Sequence, residues 1–160
     1  MSVRLIVMLF SMMIYSSQGV ASDTKETVSV HMDAYHIVIK KGVETRVLAK
    51  EAKPSDILEY VATYHNNTKH KVTNLKGILP IPEGMIYQAG SERPRHALAS
   101  VDGVHYNVMP LMRKVKKANG TWEKVKIPLV EYRFLRWNLD VLKGLKSKKV
   151  SARMQVSPLE

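Results

Sequence analysis

The stretch Asp56 to His65, DILEYVATYH, decides how this chain is read. Leu58, Tyr60, Ala62 and Tyr64 fall on one face of an extended chain, and Glu59, Thr63 and His65 on the other. A period of two with one apolar side predicts a β-strand lying on a core.

Working outward, Val150 to Val156 (VSARMQV) repeats the pattern, with Val150, Ala152, Met154 and Val156 inward. Leu135, Trp137, Leu139 and Val141 form a third such face. Weaker strand patterns cover Thr27 to Ile39, Glu44 to Ala49, Lys71 to Leu79, His96 to Val101, His105 to Met109 and Trp122 to Ile127. The separators carry turn chemistry: Lys41-Gly42, Lys53-Pro54-Ser55, Asn66-Asn67, Asp102-Gly103, Asn119-Gly120 and Lys143-Gly144. Asp102-Gly103 and Asn119-Gly120 suit tight hairpins, since glycine accepts the positive φ these turns need. In GILPIPEGMIY, Gly77 to Tyr87, Pro80 and Pro82 are expected to end the strand at Leu79, and Gly84 to turn the chain before Met85. No sustained helical stripe competes with this reading. The expectation is an all-β fold, a sandwich or barrel of about 7 to 9 short strands. Its core would hold Leu58, Tyr60, Ala62, Tyr64, Trp137, Leu139, Ala152, Met154 and Val156.

The first residues bear on compartment. Arg4, the apolar run Leu5 to Tyr15 and the small residues Gly19-Val20-Ala21 read as a secretory signal peptide over 1–21, cleaved after Ala21. An apolar run of 11 residues is shorter than the ~20 that cross a bilayer as a helix, so no membrane span is expected after cleavage. Residues 22–50 would then supply N-terminal strands leading into one domain over 51–160. The sequence has no cysteine, which excludes disulfides, thiolate metal sites and cysteine nucleophiles.

Charge is uneven along the chain. From Asp23 to Asp102 there are 11 Lys and Arg against 10 Asp and Glu; from Gly103 to Glu160 there are 13 against 4. The basic excess gathers in two clusters: Arg113, Lys114, Lys116 and Lys117, then Lys143, Lys146, Lys148 and Lys149. If both lie at one end of the fold they would form an anion site, with Trp122 or Tyr132 as a stacking surface. Otherwise they are a solvated loop and a strand edge guarded by lysine. Lipopolysaccharide or acidic polysaccharide is the expected partner in the first case, and nucleic acid the least expected for an exported chain.

Motifs for catalysis are few. The nearest glycines, Gly84 and Gly90, are 6 apart, so neither a nucleophile elbow nor a phosphate loop can be written in this sequence. His65 and His70 could face each other across a hairpin, but a catalytic zinc wants three protein ligands. His31, His36, His96 or Asp56 would have to be recruited. Glu59, Asp102, Glu123 and Glu131 show no convergence for acid–base work. No cofactor and no enzymatic activity are expected. Asn66-Asn67-Thr68 and Asn119-Gly120-Thr121 fit the glycosylation pattern and are read as turns.

The series Asp56-Ile57-Leu58-Glu59-Tyr60, Tyr64-His65-Asn66, Val72-Thr73-Asn74-Leu75, Leu79 to Tyr87 and Gly90-Ser91 resembles the bacterial conserved-repeat domain, domain of unknown function eleven. Leu135-Arg136-Trp137-Asn138-Leu139, Leu142-Lys143-Gly144 and Val150 to Val156 extend the likeness to roughly 51–156. Three positions depart from that pattern: Gly77 for an aspartate, Ser55 for a glycine and Lys143 for a proline. The resemblance implies an immunoglobulin-like β-sandwich and a non-enzymatic structural or protein-interaction module of exported and surface proteins. One copy is present, which argues against a repetitive stalk.

Overall fold

The computed structural model describes residues 26–158; the expected signal peptide lies outside them. All regular structure there is β, apart from a 3-10 turn at Leu129–Glu131. Eleven strands form: β1 (Val28–Lys40), β2 (Val43–Leu48), β3 (Ile57–Asn66), β4 (Val72–Pro80), β5 (Met85–Tyr87), β6 (Leu98–Ser100), β7 (Asn107–Val108), β8 (Met112–Lys116), β9 (Trp122–Lys126), β10 (Phe134–Leu142) and β11 (Ser147–Val156). All nine expected strands are present with shifted ends. β5 is the segment in which the chain resumes after the Gly84 turn, as expected, and β8 is additional, so the total exceeds the expected 7 to 9.

Two open sheets share one apolar core. The larger has the order β2-β1-β3-β11-β5, the smaller β4-β10-β6-β7, and β8-β9 is a separate two-stranded ribbon. β3 and β11 pair antiparallel from Ser147–His65 to Gln155–Ile57, so Leu58, Ala62, Val150, Ala152 and Met154 all face the smaller sheet. From that sheet come Leu79, Leu135, Trp137, Leu139 and Leu142. Each fully buried side chain of this size contributes about 1.5–3 kcal/mol of transfer free energy. Of the expected core, Tyr60 and Val156 are partly buried at its margin and the rest are buried.

β3 departs from its one-sided expectation. Glu59 on its outer face is only 4% exposed, because Arg46 from β2 reaches across β1 to bind both its oxygens, at 2.7 and 2.8 Å. A buried carboxylate needs such a partner.

Val141 is the clear correction. It was expected inward with Leu135, Trp137 and Leu139, yet it is 42% exposed, and Leu142 is buried in its place. The cause is a bulge: between Asn138, opposite Lys76, and Asp140, opposite Leu75 and at φ +52°, β10 carries one extra residue. β4 answers with its own extra residue around Asn74, at φ +56°, and the pairing is back in step at Leu142–Val72. Short polar side chains tolerate this left-handed backbone better than most.

Two turn expectations also change. Pro80 does not stop β4 at Leu79 but closes it opposite Phe134; β4 is an edge strand, where a missing N–H can face the free side. Asp102-Gly103 makes a longer loop between β6 and β7. There Asp102 Oδ1 accepts hydrogen bonds from the N–H groups of Val104 and His105 at 2.9 and 2.8 Å.

Candidate anion-binding ribbon

The ribbon closes on a tight turn. Gly120, at φ +82°, donates its N–H to Lys117 O at 2.9 Å, and Lys117 N–H donates to Thr121 O at 2.8 Å. That is a three-residue loop closed by a left-handed glycine. Asn119 Oδ1 accepts from Thr121 N–H and hydroxyl at 3.1 and 2.7 Å, which holds the loop open-faced to solvent.

The turn sets the register, and the register sets the chemistry. Met112 lies opposite Lys126, Lys114 opposite Lys124, and Lys116 opposite Trp122. Residues directly opposite in an antiparallel pair point to the same side, and the side alternates along each strand. One face therefore carries Lys114, Lys116, Lys124 and Lys126 with Met112 and Trp122, while Arg113, Val115, Glu123 and Val125 take the other. All six on the first face are exposed, Trp122 to 66%.

Acidic partners sit on the second face alone. Arg113 binds Glu131 through two contacts at 2.7 and 3.0 Å, and Lys117 meets Glu123 at 2.8 Å. Among the described residues, no carboxylate pairs with Lys114, Lys116, Lys124 or Lys126. The period of two has sorted neutralised from unneutralised charge.

The root of the ribbon is fixed. Leu111, buried, donates its N–H to Tyr132 Oη at 2.7 Å, and Ile127 N–H donates to Leu111 O at 2.9 Å. Tyr132 is fully buried and stacks on Tyr87 with ring centroids 6.2 Å apart. Tyr132 is thus an anchor and cannot be the expected stacking surface; Trp122 remains exposed for that role.

The second lysine cluster does not join the first. Arg113 is held at Glu131, just before β10 begins, whereas Lys143 follows its last residue. The nine residues of β10 span roughly 27 Å at about 3.3 Å each. Lys148 and Lys149 then leave β11 on opposite faces, opposite Tyr64 and Thr63, and Lys148 Nζ donates to Leu139 O. So Arg113, Lys114, Lys116, Lys117, Lys143, Lys146, Lys148 and Lys149 do not lie together at one end, the condition on which a single patch depended. The structure keeps Lys114 and Lys116, and adds Lys124 and Lys126, which counting outward from the Asn119-Gly120 turn would have revealed.

Other chemistry-bearing residues are dispersed. His65 Nδ1 lies 2.8 Å from Ser147 Oγ, His31 pairs with Asp33, and His36 Nε2 lies 2.7 Å from Glu51 O. Among the described residues no three His, Asp or Glu side chains converge as metal ligands. Glu59, Asp102, Glu123 and Glu131 are each engaged by a different partner in a different place. A small cleft of about 240 Å³ borders Tyr87, Glu92, Met109 and Leu129, less than the ~300 Å³ typical of ligand pockets. Inside it the buried Glu92 accepts the Tyr87 hydroxyl; burial first, and Glu92 second, push that hydroxyl well above the ordinary tyrosine range.

Among family models, curated proteins and solved structures, none matches the chain. Among the described residues no helix is long and apolar enough to cross a membrane.

Proposed function

We propose that this protein is an exported, non-enzymatic module of the bacterial cell envelope, an immunoglobulin-like sandwich of the conserved-repeat kind that holds an anionic polymer on its ribbon. The carrying observation is the segregated face of Lys114, Lys116, Lys124 and Lys126 around Trp122. Lysines two apart on a strand repeat at roughly 6.8 Å, which suits charges in series along a chain rather than one small anion. A single exposed pair is worth little in water, about 1 kcal/mol at 4 Å, so useful affinity needs several at once and the counterions they release. Trp122 adds a flat surface for a sugar ring or lipid headgroup. The leader-like first 21 residues support export and make lipopolysaccharide or acidic polysaccharide a more fitting partner than nucleic acid.

The test is retention on immobilised heparin and on lipopolysaccharide. Lys114→Glu with Lys126→Glu should elute at clearly lower salt, while Lys143→Glu with Lys149→Glu should elute close to the native protein. Four contacts predict a slope of log Kobs on log salt near −3, at about −0.7 per contact. Equal losses from both pairs would mean that net charge, not the ribbon, governs retention.

A protein-interaction role is the second reading, favoured by the edge of β2, on which no further strand pairs among the described residues.

A further inference from the structure

Among the described residues β2 is an open edge of the larger sheet. Ala49 N–H donates to Ala34 O at 2.8 Å, and antiparallel strands bond alternately to one side and the other. The odd-numbered backbone groups of β2 therefore face β1, and those of Glu44, Arg46 and Leu48 point away from it. Proteins guard such rows with charged side chains, above all Lys, with Pro, with bulges or with a covering loop. Val43–Leu48 holds no Lys or Pro and pairs with β1 without a break from Lys40–Val43 to Tyr35–Leu48. Val43 is 64% exposed and Val47 40%, both on the core-side face, which here extends past the smaller sheet together with Val30 and Met32 of β1. The charges of β2 lie on the outer face and are tied back over the sheet: Glu44 binds Arg153 at 2.7 and 3.0 Å, and Arg46 binds Glu59.

We propose that β2 pairs antiparallel with β2 of a second copy of this chain, about a twofold axis at Thr45. The edge is self-complementary in one register. Sheet pleating requires partners that point to the same face, so odd residues oppose odd and even oppose even. The register that sets Glu44 on itself, and the one that sets Arg46 on itself, each bring like charges together, which destabilises a cross-strand pair. The register between them opposes Thr45 to itself, Val43 to Val47 of the second copy, and Glu44 to Arg46 of the second copy. Symmetry repeats each unlike pair. Apolar then meets apolar on the inner face, opposite charges meet on the outer, and the outward backbone groups of Glu44 and Arg46 bond to one another. Arg46, with its side chain 58% exposed beyond Glu59, keeps room for this second carboxylate. The inference is independent of the ribbon.

The sequence has no cysteine, so an introduced thiol reports proximity cleanly. Thr45 would meet its own copy at a non-hydrogen-bonded pair, with Cα atoms about 4.5 Å apart, inside the roughly 4.4–6.8 Å that a disulfide spans. Under mild oxidation Thr45→Cys should form covalent dimer at least about tenfold faster than Thr121→Cys at the ribbon tip, because pairing raises effective concentration. Val43→Cys and Val47→Cys should each form little covalent dimer alone and cross-link when mixed. Light scattering of the native protein should show dimer rising with concentration, and Glu44→Arg should return it to monomer with an unchanged circular dichroism spectrum. Thr45→Cys no faster than Thr121→Cys would overturn the pairing. So would a native protein that stays monomeric at every concentration at which Glu44→Arg does.

Discussion

Lys114 stands directly across the ribbon from Lys124, on the same face, with no carboxylate paired to either among the described residues. Like charges so placed cost about 0.2–1 kcal/mol. A hairpin selected for stability alone would carry a glutamate at one of them. Lys124→Glu is therefore expected to raise the melting temperature slightly while lowering the salt at which the protein leaves heparin. A variant that gains stability and keeps its full retention would separate the ribbon from binding.

Asn66 is a buried clamp between two turns. Its side-chain amide donates to His70 O at 2.7 Å and Leu142 O at 3.1 Å, and its oxygen accepts from Thr68 N–H at 3.0 Å. Asn66→Ala leaves these groups unpaired in a dry place, a loss of about 2–3 kcal/mol. Urea unfolding should show it as a lower midpoint with an unchanged slope. A loss below about 0.5 kcal/mol would mean that water takes the partners over.

Gly144 lies against the backbone beside that clamp. A Cβ there would sit 2.1 Å from the carbonyl oxygen of Lys69, and a backbone atom cannot swing aside. Gly144→Ala should cost about 3 kcal/mol, at the upper end for overpacking. Gly77→Ala should cost less: the Cβ would come 2.9 Å from Leu139 Cδ1 and 3.2 Å from Tyr64 Cε2, and side chains can shift. Thermal melts of the two variants should rank in that order.

Asp102 predicts a pH signature. Its bond with the His105 ring at 2.7 Å, then the N–H groups of His105 and Val104 and the Ser100 hydroxyl, hold its carboxyl well below the usual aspartate range. A depressed folded-state value gives stability that is present above the unfolded value of about 3.9 and lost as pH falls through the folded one. The amide resonances of Val104 and His105 should therefore titrate with a midpoint below that value, and Asp102→Asn should abolish the titration. A midpoint at or above about 3.9 would rule the network out.

The sheets were legible because β3, β10 and β11 carry their alternation in apolar side chains. β8 was not, since Arg113-Lys114-Val115-Lys116-Lys117 alternates in charge partners rather than in hydropathy, and so reads as a loop. Which lysines act together depends on cross-strand register, and period two along one strand does not carry it. The placement of Val141 failed for a related reason. A backbone at φ +52° leaves no mark in the sequence beyond the identity of Asp140, a residue equally common in ordinary loops.

The paired bulges at Asp140 and Asn74 make β10 and β4 behave like two messages read in a shared frame. Removing Asp140 alone would keep Leu142 inward, two places after Leu139, but it would leave the extra residue of β4 around Asn74 unanswered and break the Leu142–Val72 pairing. Removing Asn74 as well would suppress the first lesion by restoring step between the strands. Substitution at either site is forgiven, deletion of one is not, and deletion of both is partly forgiven, so the length of each strand is inherited only jointly with the other.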